Sequence, residues 1–75
     1  MFEGGENEMK VTLKAARINV NLSQSEAAKE LKISKDTLGN WEKGKTFPKT
    51  SYIPAIEALY KIKYNDIIFL PSNYA

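Results

Sequence analysis

A chain of 75 residues with a formal net charge of +2 has room for one small hydrophobic core, and therefore for one domain. The sequence contains neither cysteine nor histidine, which excludes disulfides, thiolate metal sites, cysteine nucleophiles and the most common general base. No apolar run approaches the ~18 residues that a membrane span needs, and no signal-peptide pattern opens the chain, so we expect a soluble, cytoplasmic protein.

The charge is distributed unevenly along the chain. Residues 1–9 carry three glutamates and no base, and their glycines and low hydrophobicity predict a flexible acidic tail. Residues 10–75 hold all eleven Lys and Arg against six acids. Five of the lysines cluster in the middle of the sequence, at Lys32, Lys35, Lys43, Lys45 and Lys49. Such a cluster fits a polyanionic partner, although charge alone equally fits an ordinary solvated surface.

The first predicted helix follows Thr12, which can cap it, and ends near Asn19 and Asn21. Its inward face is formed by residues that recur at helical spacing, namely Leu13, Ala16, Arg17 and Val20. A second helix is predicted from Gln24 to about Leu31, because Ser23 and Glu26 form an S-x-x-E capping box.

A third helix is predicted from Lys35 to about Lys43, with Ser34 as its N-cap and Gly44 as a left-handed C-cap. The second and third helices share the apolar spacing of a helix-turn-helix, in which Ala28 is the small residue at the helix crossing. The apolar positions are Ala27, Ala28, Leu31, Ile33, Leu38 and Trp41. Such a unit presents its second helix to the major groove of DNA.

The rest of the chain predicts two more helices. Lys45 to Thr50 reads as a loop, and Ser51 starts a fourth helix, from Tyr52 to about Lys61. A fifth short helix is predicted from Tyr64 to about Leu70, and Pro71 ends it before a C-terminal tail at 71–75. With no strand pattern, the predicted fold is all-α, with five helices in a domain spanning residues 10–70.

On a helical wheel, Leu38 and Trp41 of the third helix face inward, and we assign Trp41 to the core rather than to base stacking. The opposite side carries Asp36, Gly39, Asn40 and Lys43, and Lys35 lies at the exposed N-terminal tip of the helix.

The chemistry of this polar side fits DNA bases. Asn40 matches the donor and acceptor edge of adenine, Asp36 can accept from cytosine, and Lys35 can donate to guanine or to a phosphate. Without the motif, the same residues read as an ordinary solvated face. Gly39 lowers the stability of the helix, and either its missing side chain lets the helix sit deeper in a DNA groove or the loss of stability is simply tolerated.

Two further sets of residues complete the expected site. Gln24 starts the second helix, where free N–H groups attract a phosphate. Lys43 and the following loop residues Lys45, Thr46 and Lys49 are expected to contact the DNA backbone. Arg17 and Glu42 both lie on or beside inward faces, and pairing would tie the first helix to the third.

The run LSQSEAAKELKISKDTLGNWEKGKT, from Leu22 to Thr46, resembles the helix-turn-helix of lambda-repressor-like proteins of the Cro/CI or Xre type. The specific parts are the S-Q-x-E-x-A start, the I-S before the third helix and the W-E-x-G-K end. The resemblance extends from about Lys10 to Leu70. It implies five helices, a homodimer like that of the short Cro-like members, and a third helix that reads a palindromic operator.

The resemblance also assigns roles to particular residues. The family's phosphate-binding glutamine falls on Gln24, and its buried ion pair falls on Arg17 and Glu42. Its base-reading positions fall on Lys35, Asp36, Thr37, Gly39 and Asn40. The family's turn glycine is replaced by Lys32, which would need a positive φ that lysine adopts less freely.

We therefore expect a DNA-binding transcriptional regulator of prokaryotic or phage type, and more specifically a repressor that binds double-stranded DNA as a homodimer. A protein-interaction module, such as an antitoxin-like protein with a protein partner, is the alternative. No nucleophile–base pair or metal cluster can be assembled, so we expect neither an enzyme nor a cofactor. The apolar residues near the C-terminus either form the dimer contact or only close the core, and they are Ile67, Ile68, Phe69, Leu70 and Tyr74.

Overall fold

The computed structural model describes residues 10–69, which form four α-helices and a pair of two-residue strands. In chain order the elements are β1 (Val11–Thr12), α1 (Leu13–Asn19), α2 (Gln24–Leu31), α3 (Lys35–Lys43), α4 (Ile53–Tyr60) and β2 (Ile67–Ile68). One turn of 3₁₀-helix precedes α4 at Thr50–Tyr52, and another precedes β2 at Tyr64–Asp66. The tails expected at 1–9 and 71–75 lie outside the described residues.

The first three helices begin at the side-chain caps that the sequence predicts. The hydroxyl of Thr12 accepts a hydrogen bond from the backbone N–H of Ala15 at 3.1 Å. Ser23 and Glu26 form the complete capping box, since Ser23 Oγ accepts from Glu26 N at 3.0 Å and Glu26 Oε1 accepts from Ser23 N at 2.8 Å. The hydrogen bond from the Ser23 backbone also lowers the pKa of Glu26. Local sequence chemistry therefore fixes where α1, α2 and α3 start.

Each of the four helices is followed, within two residues of its end, by a residue in the left-handed region. These residues are Asn21, Lys32, Gly44 and Lys61, with φ between 57° and 80°. After each one, the next N–H reaches five residues back, as in the bond from Ile33 N to the Ala28 carbonyl at 3.0 Å. This pattern is the Schellman motif, which satisfies carbonyls that a helix end would leave unpaired. Lys32 therefore adopts the positive φ that was expected from its place at the turn glycine of the resembled family.

The core lies between the inward faces of the helices and β2. Its buried members are Leu13, Ala16, Ala27, Ala28, Leu31, Leu38, Trp41, Ile56, Tyr60 and Ile67. Trp41 is a core residue, as predicted, and its ring makes an edge contact with the ring of Tyr52 at a centroid distance of 5.3 Å. Among residues 10–69, no helix is long and apolar enough to cross a bilayer.

The predicted fifth helix is not formed, and the all-α prediction needs a small correction. Tyr64–Asp66 is a single 3₁₀ turn, and Ile67–Ile68 is a strand that pairs in parallel with Val11–Thr12. Ile67 has the extended backbone of a strand, with φ −100° and ψ 131°; it is 7% exposed, whereas Ile68 beside it is 43% exposed. Neighbouring isoleucines favour this extended conformation because their branched side chains pack well on a pleated surface.

The fourth helix begins one residue later than predicted. Ser51 lies within the 3₁₀ turn, and α4 starts at Ile53 without any side-chain cap. The turn makes such a cap unnecessary, since Tyr52 N already donates to the carbonyl of Lys49 at 2.9 Å. Pro54 lies in the first turn of α4, where its missing N–H leaves no acceptor unpaired.

The residues considered for a dimer contact divide between the two interpretations. Ile67 closes the core, whereas the side chain of Ile68 points to solvent. Phe69 is half-buried and contacts the rings of Phe47 and Tyr64 at centroid distances of 6.2 and 5.2 Å. Leu70 and Tyr74 lie outside the described residues.

Candidate nucleic-acid interface

The outer face of α3 and the start of α2 form an open polar groove of about 260 Å³. It is lined by Gln24, Lys35, Asp36, Gly39, Asn40 and Lys43. Five of these six residues belong to α3, and all six were candidate DNA contacts in the sequence. The structure therefore brings the expected polar residues together on one side of the helix-turn-helix.

Helix α3 presents this face because its opposite face is anchored in the core. Leu38 is completely buried and Trp41 is nearly so. The side chains of Lys35, Asp36 and Lys43 are exposed. The packing of the apolar side in the core therefore prevents α3 from rotating about its axis. This packing alone keeps the polar side of α3 facing the solvent.

Thr37 is the one base-reading candidate that does not line the groove. It is half-buried, and its hydroxyl oxygen accepts a hydrogen bond from the hydroxyl of Ser34 at 2.8 Å. Its backbone N–H donates to the same Ser34 oxygen at 3.0 Å. In the free protein, Thr37 is therefore part of the N-terminal cap of α3, and its role in reading DNA stays a prediction.

The loop after α3 folds back onto the end of the helix. Lys45 N and Thr46 N both approach the carbonyl of Asn40, at 2.9 and 3.4 Å. The side chains of Lys45, Thr46 and Lys49 are exposed, while Pro48 is buried and anchors the loop. The loop residues predicted to contact phosphate thus follow directly after the C-terminal end of the groove. The lysines of the loop extend the positive charge that Lys35 and Lys43 give to the groove.

A buried polar network lies directly behind the groove. Arg17 donates from Nε to Glu42 Oε2 at 2.7 Å and from Nη2 to Glu42 Oε1 at 3.1 Å. Its remaining nitrogen, Nη1, donates to the carbonyl of Leu22 at 3.0 Å, which joins α1 to the residues before α2. The side chains of Arg17 and Glu42 are 9% and 4% exposed. The hydrogen bond with Glu42 raises the pKa of Arg17.

Glu42 also accepts a hydrogen bond from Gln24, and sequence reasoning missed this contact. Gln24 Nε2 lies 3.0 Å from Glu42 Oε1. The Gln24 amide passes over Gly39, since a Cβ atom on Gly39 would lie 3.7 Å from Nε2. Gln24 and Glu42 belong to different helices, and no periodicity or motif relates them. Helical spacing alone places Glu42 beside Leu38, but it cannot show which atoms the carboxylate meets.

Tyr60 lies at the inner side of this network. Its hydroxyl is buried and has no hydrogen-bond partner among residues 10–69. Burial raises the pKa of Tyr60 to about 12, and the negative charge of Glu42 contributes in the same direction. The Tyr60 phenol is therefore uncharged in the folded protein at neutral pH.

Comparison with known protein families identifies the class of this chain. The family model described as Helix-turn-helix, of the Cro/C1 and Xre-like type, matches residues 13–67. The chain belongs to this family. The match begins at α1 and ends within β2, so it covers the four helices and the groove.

Membership in this helix-turn-helix family gives the broad function. Its members are DNA-binding transcription regulators. Searches of curated proteins and of solved structures gave no match.

Proposed function

We propose that this helix-turn-helix protein is a sequence-specific regulator that binds an operator with α3 in the major groove. The observation that carries the proposal is the polar groove, which lies on the free side of a helix whose other side is buried. The major groove of B-DNA is about 12 Å wide and admits one α-helix. The exposed polar side of α3 therefore supports insertion of this helix with that side toward the bases.

The base contacts would come from three side chains of the groove. The amide of Asn40 would pair with N6 and N7 of adenine, and the carboxylate of Asp36 would accept from N4 of cytosine. Lys35, at the N-terminal end of α3, would donate to guanine or to a nearby phosphate. Gly39 adds no side chain of its own to the groove, and the amide of Gln24 lies against this position.

The phosphate contacts would flank α3 on two sides. Gln24 stands at the first position of α2, where unpaired N–H groups favour an anion. Lys43, Lys45, Thr46 and Lys49 continue from the other end of the groove. These contacts would set the register of the protein on DNA and make its affinity fall steeply with salt.

The protein would act as a homodimer on a palindromic operator, as a prokaryotic or phage-type repressor that blocks polymerase sterically. The exposed apolar side chains of Ile18 and Ile68, at 52% and 43%, support a contact with a second copy. A two-fold dimer would place two α3 helices in successive major grooves on one face of the duplex.

The first test is selection from a random pool of double-stranded DNA, at physiological salt and with competitor DNA. We expect two inverted half-sites with centres about 10–10.5 bp apart, or a multiple of that spacing. Failure to enrich any sequence would refute operator binding. It would favour a protein-interaction module instead, for which the exposed Ile18, Phe47 and Ile68 offer apolar contacts.

The second test separates base reading from phosphate binding. Asn40→Ala should weaken binding to the selected operator by about 1–3 kcal/mol and relax specificity at one base pair. Lys45→Ala should weaken binding to operator and random DNA alike and should reduce the slope of affinity against salt by about one. Lys63→Ala is the matched control, because this exposed lysine lies outside the groove and its loss changes net charge equally. Equal losses on both DNAs for Asn40→Ala would refute base reading by this residue.

A further inference from the structure

The carboxylate of Glu42 connects the buried ion pair to the DNA-facing groove. Its Oε1 accepts from Arg17 Nη2 at 3.1 Å and from Gln24 Nε2 at 3.0 Å. Its Oε2 accepts from Arg17 Nε at 2.7 Å. Arg17 and Glu42 are almost fully buried, whereas Gln24 is half-buried and lines the groove. Gln24 is thus the side chain through which this network reaches the surface.

The charge of Glu42 decides how the Gln24 amide is oriented. An ionised carboxylate only accepts hydrogen bonds, and so the NH₂ end of the amide has to face it. The carbonyl oxygen of Gln24 is consequently turned away from Glu42. One N–H of the amide is used by Glu42, and the second N–H stays available for a ligand in the groove.

Gly39 lies beneath this amide. A Cβ atom on Gly39 would lie 3.7 Å from Gln24 Nε2 and 3.8 Å from Oε1, which is ordinary van der Waals contact, so the amide packs against this position of α3. The same amide borders the side of α3 that carries Lys35 and Asn40. The backbone N–H of Gln24, the first of α2, belongs to the same end of the helix.

We propose that Glu42 is a positioning residue for DNA binding, which holds the Gln24 amide over Gly39 so that its second N–H donates to a phosphate oxygen of the backbone. This inference rests on the proposed function. A free glutamine side chain loses rotamer freedom when it binds, and that loss lowers affinity. Because Glu42 orders the amide before DNA arrives, the ion pair contributes to affinity as well as to stability.

The test compares three variants in titrations with the selected operator and with random DNA. Gln24→Ala removes the contact, and Arg17→Met with Glu42→Met replaces the ion pair by apolar side chains of similar length. Apolar replacement of a whole buried pair is often neutral or stabilising, so this variant should fold. The third variant combines all three substitutions, and melting curves establish that each protein is folded at the assay temperature.

We expect Gln24→Ala and the double methionine variant each to lose about 3- to 10-fold in affinity per subunit, equally on both DNAs. The combined variant should lose no more than Gln24→Ala alone, because the ion pair acts through Gln24. Affinity that stays at the wild-type value in the double methionine variant, or losses that multiply in the combined variant, would overturn the inference while leaving DNA binding intact. A wild-type protein that binds neither DNA would overturn the proposed function and this inference with it.

A second measurement does not depend on DNA or on the folding of the variants. In the free wild-type protein, the two side-chain N–H signals of Gln24 should be well separated, because one proton is bonded to a buried carboxylate. In NMR spectra this separation should exceed that of exposed amides such as Asn65. Signals at the positions of a freely rotating glutamine side chain would overturn the inference.

Discussion

The turn between α2 and α3 stores strain that a single substitution should release. Lys32 has φ 61° and ψ 41°, and its N–H donates to the carbonyl of Lys29 at 3.1 Å. An L-residue pays roughly 1–2 kcal/mol in this left-handed region, which glycine adopts freely. The side chain of Lys32 is exposed, so its removal sacrifices little packing.

The expected gain follows from two opposing terms. Lys32→Gly removes the left-handed strain but gives the unfolded chain more freedom, which costs roughly 0.5–1 kcal/mol. With both terms near the middle of their ranges, the free energy of unfolding should rise by about 0.5–1 kcal/mol. In a domain of this size, 1 kcal/mol shifts Tm by roughly 4–8 °C, so we expect Tm to rise by about 2–8 °C.

Thermal unfolding followed by circular dichroism at 222 nm measures this change, with Lys29→Gly as the matched control. Lys29 is also an exposed lysine of the same region, but it lies within α2 with ordinary helical geometry. Its replacement should lower the free energy of unfolding by about 1 kcal/mol. Both variants lose one positive charge, so the opposite signs isolate the backbone effect. A lower Tm for Lys32→Gly, or equal shifts for the two variants, would refute the assignment of strain to this turn.

Two further predictions concern the groove and the buried tyrosine. Gly39→Ala should raise the free energy of unfolding by about 1 kcal/mol, since its Cβ would meet the Gln24 amide at an ordinary 3.7 Å, but should weaken operator binding. Melting curves and DNA titrations of one preparation measure both, and unchanged affinity would mean that Gly39 is merely tolerated. The wild-type protein should lose stability at high pH because of Tyr60, and the Tyr60→Phe variant should not show this loss. The folded pKa of Tyr60, about 12, exceeds the ordinary 10.0, so stability present below pH 10 is lost as pH rises toward 12. Parallel plots of Tm against pH for the wild type and the variant would contradict this assignment.

Local chemistry explains why most helix boundaries were predictable. Ser23, Glu26 and Ser34 act within three residues of their own position, and Gly44 terminates α3 through bonds to the preceding turn. Interactions between residues so close in the chain can be recognised from the sequence alone. The left-handed conformation of Lys32 was instead expected from the family resemblance, in which a glycine occupies this turn position.

The C-terminal strand could not be predicted in this way, because its partner lies at the other end of the described chain. Ile67 and Ile68 pair with Val11 and Thr12, and neither dipeptide has the length or alternation that normally signals a strand. A short apolar run is compatible with a helix or a strand until its neighbours are known. Tertiary pairing therefore overrode a helical pattern that was weak to begin with.

The candidate site was predictable as a face but not as a set of contacts. Helical periodicity placed Asp36 and Asn40 opposite Leu38, and the groove has that composition. Periodicity gave no sign that the Ser34 hydroxyl donates to the Thr37 hydroxyl, or that the Gln24 amide donates to Glu42. Both contacts depend on rotamers, which the packing of the folded helices selects.

Two residues of the helix-turn-helix are poorly suited to their backbone positions, and the structure distinguishes between them. Gly39 lowers the stability of α3, yet it lies in the groove beneath the Gln24 amide. Lys32 is strained in the turn and does not line the groove. If Gly39 is needed for DNA binding and Lys32 is not, both substitutions should stabilise the fold but only one should affect binding. The Gly39→Ala protein should lose affinity for DNA, whereas the Lys32→Gly protein should keep it. Equal effects of the two substitutions on affinity would mean that the groove does not mark the DNA-contacting surface.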